Sequence, residues 1–205
     1  MSKSPLFWLI ILIVPFILLA ASGPAEKSLG VNVRVVYLHG VWVWAALAAL
    51  IAAGAAGAAG IITQKTQLHA WSRALGRTGM LLWITYLPIS MWAMQSNWNG
   101  LYLAEPRWRL ALIFAVTGLL LQVGLSLIGR PLWTSAANLG FIAALLTALA
   151  RTQEVMHPPS PILSSDSRLI QANFGWLLLI SLLITWQLAR LWLKLDPANA
   201  LDDSG

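Results

Sequence analysis

Two histidines and one aromatic loop are the residues in this chain whose types and spacing could do chemistry. The stretch Asn97-Trp98-Asn99-Gly100-Leu101-Tyr102-Leu103-Ala104-Glu105-Pro106-Arg107-Trp108 combines indole and phenol rings with one carboxylate and one guanidinium, and His39 and His157 stand at the edges of apolar runs before and after it. Imidazole is the commonest neutral nitrogen ligand, and two of them can hold a haem iron from opposite faces. A flat apolar macrocycle with two carboxylate tails needs aromatic faces for its ring. Trp98, Tyr102 and Trp108 are the candidates, with Glu105 in their midst. It also needs cations for its propionates, for which Arg107, Arg109, Arg34 and Arg168 are available. A mononuclear zinc or copper site would want further ligands of the same kind. Each residue also has a plainer use: a histidine at a helix end hydrogen-bonds, an arginine flanks a membrane, and a tryptophan joins an interfacial belt.

The elements that must position these groups are set by composition. Of 205 residues 59% are hydrophobic and only 10% charged, with mean hydropathy +0.74. A soluble domain of this size could not hide so much apolar surface, so lipid must be part of the solvent. The expectation is an all-α, polytopic integral membrane protein, a single domain of six transmembrane helices. The absence of cysteine removes disulfide, iron–sulfur and thiolate-metal chemistry. The formal charge of +6 comes from basic residues scattered singly among apolar runs, which is membrane flanking rather than a nucleic-acid surface. Twelve tryptophans are many for this length, and an interfacial belt accounts for at least half of them.

In chain order, the spans are expected near residues 6–21, 41–63, 78–96, 110–128, 133–150 and 172–193, with longer connections at 22–40, 97–109 and 151–171. The first run ends in Ala20-Ala21-Ser22, which also suits a secretory signal; it is read as an uncleaved span bent at Pro15. In the second, glycine recurs at every third position from Gly54 to Gly60, a face that lets a neighbouring helix come close. Gln64 to Arg77 reads as a polar, basic connection and Pro88 as a kink in the third span. Gly129-Arg130-Pro131 is a tight turn between antiparallel helices.

Six spans put the three long connections on one face and both termini on the other. Basic residues divide seven to six in favour of the terminal face, while four of the seven acidic residues, Glu26, Glu105, Glu154 and Asp166, lie opposite. That bias, with the short turns, assigns the termini to the cytoplasm and predicts a multi-pass protein of the inner (cytoplasmic) membrane. His39, the aromatic loop and His157 then share the outer face, and His69 lies on the other. No serine elbow, His-Glu-x-x-His motif or phosphate-cradling loop is present. Acidic residues are absent from span interiors, which argues against a proton- or cation-coupled transporter.

The order of these features resembles the haem-handling membrane proteins of cytochrome c biogenesis, and most nearly the C component of the Ccm maturation system, CcmC. That family has six spans, an outer tryptophan-rich loop of the pattern W-G-x-W-W-x-W-D-x-R between the third and fourth, and an outer histidine on each side. Tyr37-Leu38-His39-Gly40-Val41-Trp42 is similar to its Y-x-H-V-P-x-A-W segment, and Met156-His157-Pro158-Pro159-Ser160-Pro161-Ile162 to its L-H-Q-x-x-x-I segment. Laid on the loop pattern without a gap, Trp98 takes the first tryptophan, Tyr102 an aromatic place, Glu105 the aspartate and Arg107 the arginine. Leu101 and Ala104 stand where the family has tryptophans, so the platform is thinner. The resemblance implies a non-enzymatic protein that holds haem at the outer face, with His39 and His157 as axial ligands of a transient b-type haem. It implies presentation of that haem to an acceptor chaperone or apocytochrome c, alongside other membrane subunits of a maturation or respiratory complex. The rival expectation is a non-catalytic structural subunit of a larger membrane complex, built on the same scaffold with haem handling lost.

Overall fold

The computed structural model describes residues 4–152, 162 and 165–196. Among them the chain is helical, with six helices: α1 (Pro5–Ser22), α2 (Val33–Thr63), α3 (Thr66–Trp98), α4 (Pro106–Ile128), α5 (Pro131–Arg151) and α6 (Arg168–Leu195). Five of them, all but α3, are long and apolar enough to cross a membrane. The protein is thus a helical membrane protein by length and composition.

Local chemistry sets the ends. The Ser4 hydroxyl accepts from the Phe7 amide and Pro5 opens α1, where a proline costs nothing because its missing N–H would be unpaired anyway. Glu105 caps α4 in the same way, ahead of Pro106, and Ser167 caps α6. Gln64 takes a left-handed conformation (φ 57°) and returns its amide to the Gly60 carbonyl, so α2 reverses into α3 in two residues. Gly129 does the same for α4, at φ 65°. Neither Pro15 nor Pro88 ends its helix.

The α2–α3 hairpin is the spine. On one side α4 and α5 close a core around Leu50, Met80, Trp83, Tyr86, Ile142 and Leu145. On the other α1 and α6 pack Leu9, Phe16, Phe174 and Leu177 against Tyr37 and Val41 of α2. Helix α4 meets only α3 and α5, and α1 only α6 and α2.

The connections differ from expectation. The stretch 22–40 is helical from Val33, so His39 lies in the second turn of α2 rather than ahead of a span. The loop 97–109 contracts to 99–105, and Gln64–Arg77 is not a connection, since α3 is helical from Thr66. Its polar first third is tolerated because α2, α4, α5 and α6 all pack against α3, so little of it needs to be apolar for lipid. Hydropathy reads exposure to lipid, and α3 is mostly covered by protein.

Candidate functional site

Helices α2 and α3, at 31 and 33 residues, are about 47 and 50 Å long; α4 and α5, at 23 and 21, are about 35 and 32 Å. At the end where the short turns lie all four are level, because His69, near the start of α3, and Gly57, near the end of α2, both meet Ser135 near the start of α5. The surplus of roughly 15 Å therefore projects at the other end, where Asn32 Nδ2 donates to the Ser96 carbonyl at 2.8 Å. His39 sits below this projection, with its ring centroid 5.0 Å from that of Tyr86. Tyr86 is in turn within electrostatic reach of Glu105 and Arg107. Tyr86, which sequence reasoning passed over because one tyrosine within an apolar run carries no signal of its own, thus stands against the His39 ring and within the field of Glu105 and Arg107.

The other expected residues divide. Trp98 ends α3 and meets Tyr102 edge-on at 5.9 Å; Tyr102 is exposed and Trp98 half-buried, so this pair is open at the tip. Trp108 is not part of an open shelf, being 8% exposed, and its indole Nε1 has no hydrogen-bond partner among the described residues. Glu105 is buried and its carboxylate accepts from the Trp108 amide at 2.5 Å, a capping role that uses the oxygen a ligand would need. Arg34 donates through Nε to the Gly23 carbonyl at 2.8 Å and Arg109 to that of Leu103 at 3.3 Å, so both serve the backbone of neighbouring loops. Arg107 is half-buried in the first turn of α4, and Arg168 opens α6. His157 lies outside the described residues.

Whether these groups suit a haem can be judged from what surrounds them. At this end the described residues supply one imidazole, His39, and one open aromatic pair. The cleft at the base of the loop, about 370 Å³ and lined by Ala104, Pro106, Arg109, Leu110, Ile113 and Phe114, contains neither. No cluster of three or more histidines or carboxylates is present among the described residues. Around His39 the described residues therefore offer a single imidazole beside an open rim.

The opposite half of the bundle holds a polar interior that sequence reasoning missed. His69 Nδ1 and Ser135 Oγ share a hydrogen bond of 2.6 Å. Asn138 donates to the Ser72 carbonyl at 2.9 Å and accepts from Gln122 at 2.9 Å. The glycine face of α2 and Gly76 of α3 make the room. A Cβ on Gly60 would lie 3.0 Å from the His69 ring, one on Gly57 2.7 Å from the Ser135 carbonyl oxygen, and one on Gly76 2.7 Å from Asn138. The three-residue glycine spacing was the available signal; what it accommodates was not legible. Ser135 is fully buried, so this pairing joins helices rather than presenting a nucleophile. Deeper in α3, Arg73 pairs with Asp196 at 2.6 Å, and Arg77 lies 5.6 Å over the Trp192 ring. None of the six helices carries an acidic residue inside it, as expected, since Asp196 lies just past the end of α6.

Fold and site together define a helical membrane protein with a projecting aromatic rim at one end and a glycine-cradled polar interior at the other. No family model, curated protein or solved structure matches the chain.

Proposed function

We propose that all six helices cross the membrane and that the protein holds haem at the projecting end of α2 and α3 and presents it for cytochrome c maturation. The observation that carries this reading is the contact of His39 with Tyr86 at the end of the bundle where Trp98 and Tyr102 form an open pair. In this reading His39 and His157 would ligate the iron, Trp98 and Tyr102 would lie against the ring, and Arg107 would pair with a propionate. Glu105 and Trp108 act from behind, fixing the first turn of α4 and so the aim of Arg107. Bound haem supplies only its own redox and ligation chemistry; the protein's residues orient it and let it go. The rim would lie on the outer face of the inner membrane, with both termini cytoplasmic and an acceptor chaperone or apocytochrome c docking there. The test is the absorption spectrum of detergent-purified protein, oxidised and reduced, in wild type, His39→Ala and His157→Ala. A bis-histidine Soret band lost in both variants supports the reading, and a spectrum unaffected by either rejects it.

A second reading, a non-catalytic subunit of a larger membrane complex, is favoured by the commitment of Glu105, Trp108 and Arg34 to internal packing. Stoichiometric copurification with membrane partners and a spectrum free of haem would favour it.

A further inference from the structure

Helix α6 packs on α1, α2 and α3 but leaves one stripe open. Leu179, Leu183 and Trp186 are 45%, 42% and 47% exposed, and Arg190 and Lys194 follow, half-buried and exposed. At 100° per residue these five positions fall within one face of a 3.6-residue helix and extend over about 22 Å along its axis. That is close to half of the roughly 40–45 Å between the outer limits of the two headgroup layers. The order along the stripe is aliphatic, aliphatic, indole, guanidinium, ammonium, which is the polarity profile of one phospholipid from acyl chain to headgroup.

Three further observations make this more than a basic helix end. Trp186 is not a lone belt residue: it stacks flat on Trp71 of α3, centroids 4.7 Å apart and planes 14° from parallel. The two indoles thus form a rigid slab across the α3–α6 seam. Arg190 is oriented, donating through Nη1 to Gln187 Oε1 at 3.1 Å. Neither Arg190 nor Lys194 has a carboxylate partner among the described residues, because Asp196, the acid nearest in sequence, pairs with Arg73. Two cations about 6 Å apart along the axis therefore stand above an indole slab without a carboxylate partner among the described residues.

We propose that this stripe is a binding site for one anionic phospholipid, its phosphate between Arg190 and Lys194, its glycerol level with Trp186 and an acyl chain along Leu183 and Leu179. A guanidinium held in place by a neighbouring amide suits a phosphate oxygen, and the indole suits the interfacial depth. The site is independent of any haem bound at the other end.

The full-length protein in neutral detergent should show a concentration-dependent rise in thermal midpoint with added phosphatidylglycerol. Phosphatidylcholine should give a smaller rise and glycerol 3-phosphate none. At about tenfold or less per cation, R190Q/K194Q should weaken the phosphatidylglycerol response on the order of 30-fold in apparent affinity and leave the phosphatidylcholine response unchanged. K65Q/R130Q removes the same charge from other elements at that end of the bundle and should leave both responses intact. The proposal is overturned if phosphatidylcholine matches phosphatidylglycerol or if glycerol 3-phosphate alone suffices. It is equally overturned if R190Q/K194Q keeps the full response or K65Q/R130Q loses as much.

Discussion

Glu105 shows how a residue singled out for chemistry can be occupied by the fold. Its carboxylate caps α4 by accepting the Trp108 amide, and aspartate, which the tryptophan-loop pattern has there, is at least as good at that position. Glu105→Asp is therefore expected to leave thermal stability nearly unchanged, whereas Glu105→Ala should cost about 1 kcal/mol, read as a lowered melting midpoint in detergent. A variant pair that melts together would show that the cap is not what the carboxylate supplies. Glu26, half-buried in the loop before α2, behaves differently. The Leu29 and Ser28 amides donate to it, at 2.9 and 2.8 Å, and hold its carboxyl below its ordinary value of 4.5. Because the folded value is the lower one, the tightening this gives the 23–32 loop is fully present above the ordinary value and is lost as pH falls through the folded value. Protection of the Ser28 and Leu29 amides from hydrogen exchange should fall over that acidic range in wild type and be flat in Glu26→Gln. The residues that could carry function were thus partly legible: the Trp98–Tyr102 pair follows from adjacency in sequence. The His39–Tyr86 contact does not, since it depends on the register of two long helices.

At the level of elements, the helix ends were easier to read than the helix surroundings. Gly129 and Pro131 mark the α4–α5 turn because a left-handed residue and a first-turn proline are what such a turn requires. The start of α2 was hidden, since the β-branched run from Val31 to Val36 reads as extended chain and only packing against α6 and α3 makes it helical. The polar beginning of α3 was misjudged for the reason that buried helices often are: its neighbours, not its composition, keep it in place. The glycine face of α2 gives a direct test. Gly57→Ala puts a methyl 2.7 Å from the Ser135 carbonyl oxygen, and separating α2 from α5 to relieve it should cost about 1–3 kcal/mol. Gly140→Ala, in the middle of α5 with nothing within 4 Å, should instead stabilise by up to ~1 kcal/mol. Equal effects in thermal unfolding would mean that the close approach of α2 and α5 is not what the glycines secure.

For the molecule as a whole, the question is which surfaces belong to lipid. Trp8, Trp44, Trp92, Trp133, Trp176 and Trp186 are exposed, half of the twelve tryptophans. Leu120 in α4 is 67% exposed and lies midway along a helix that touches only α3 and α5. Leu120→Arg should raise the cost of inserting α4 by roughly 3 kcal/mol, visible as reduced integration in a membrane-insertion assay. Insertion as efficient as wild type would place that face against protein or water. The α2–α3 hairpin, closed by Gln64 and Lys65, leaves the ribosome before the partners of its inner polar face exist. His69 and Ser72 must await Ser135 and Asn138 of α5, so a nascent chain halted after α4 carries unsatisfied polar groups in a hydrophobic setting. The order of synthesis thereby makes α5 the element whose arrival closes the polar interior.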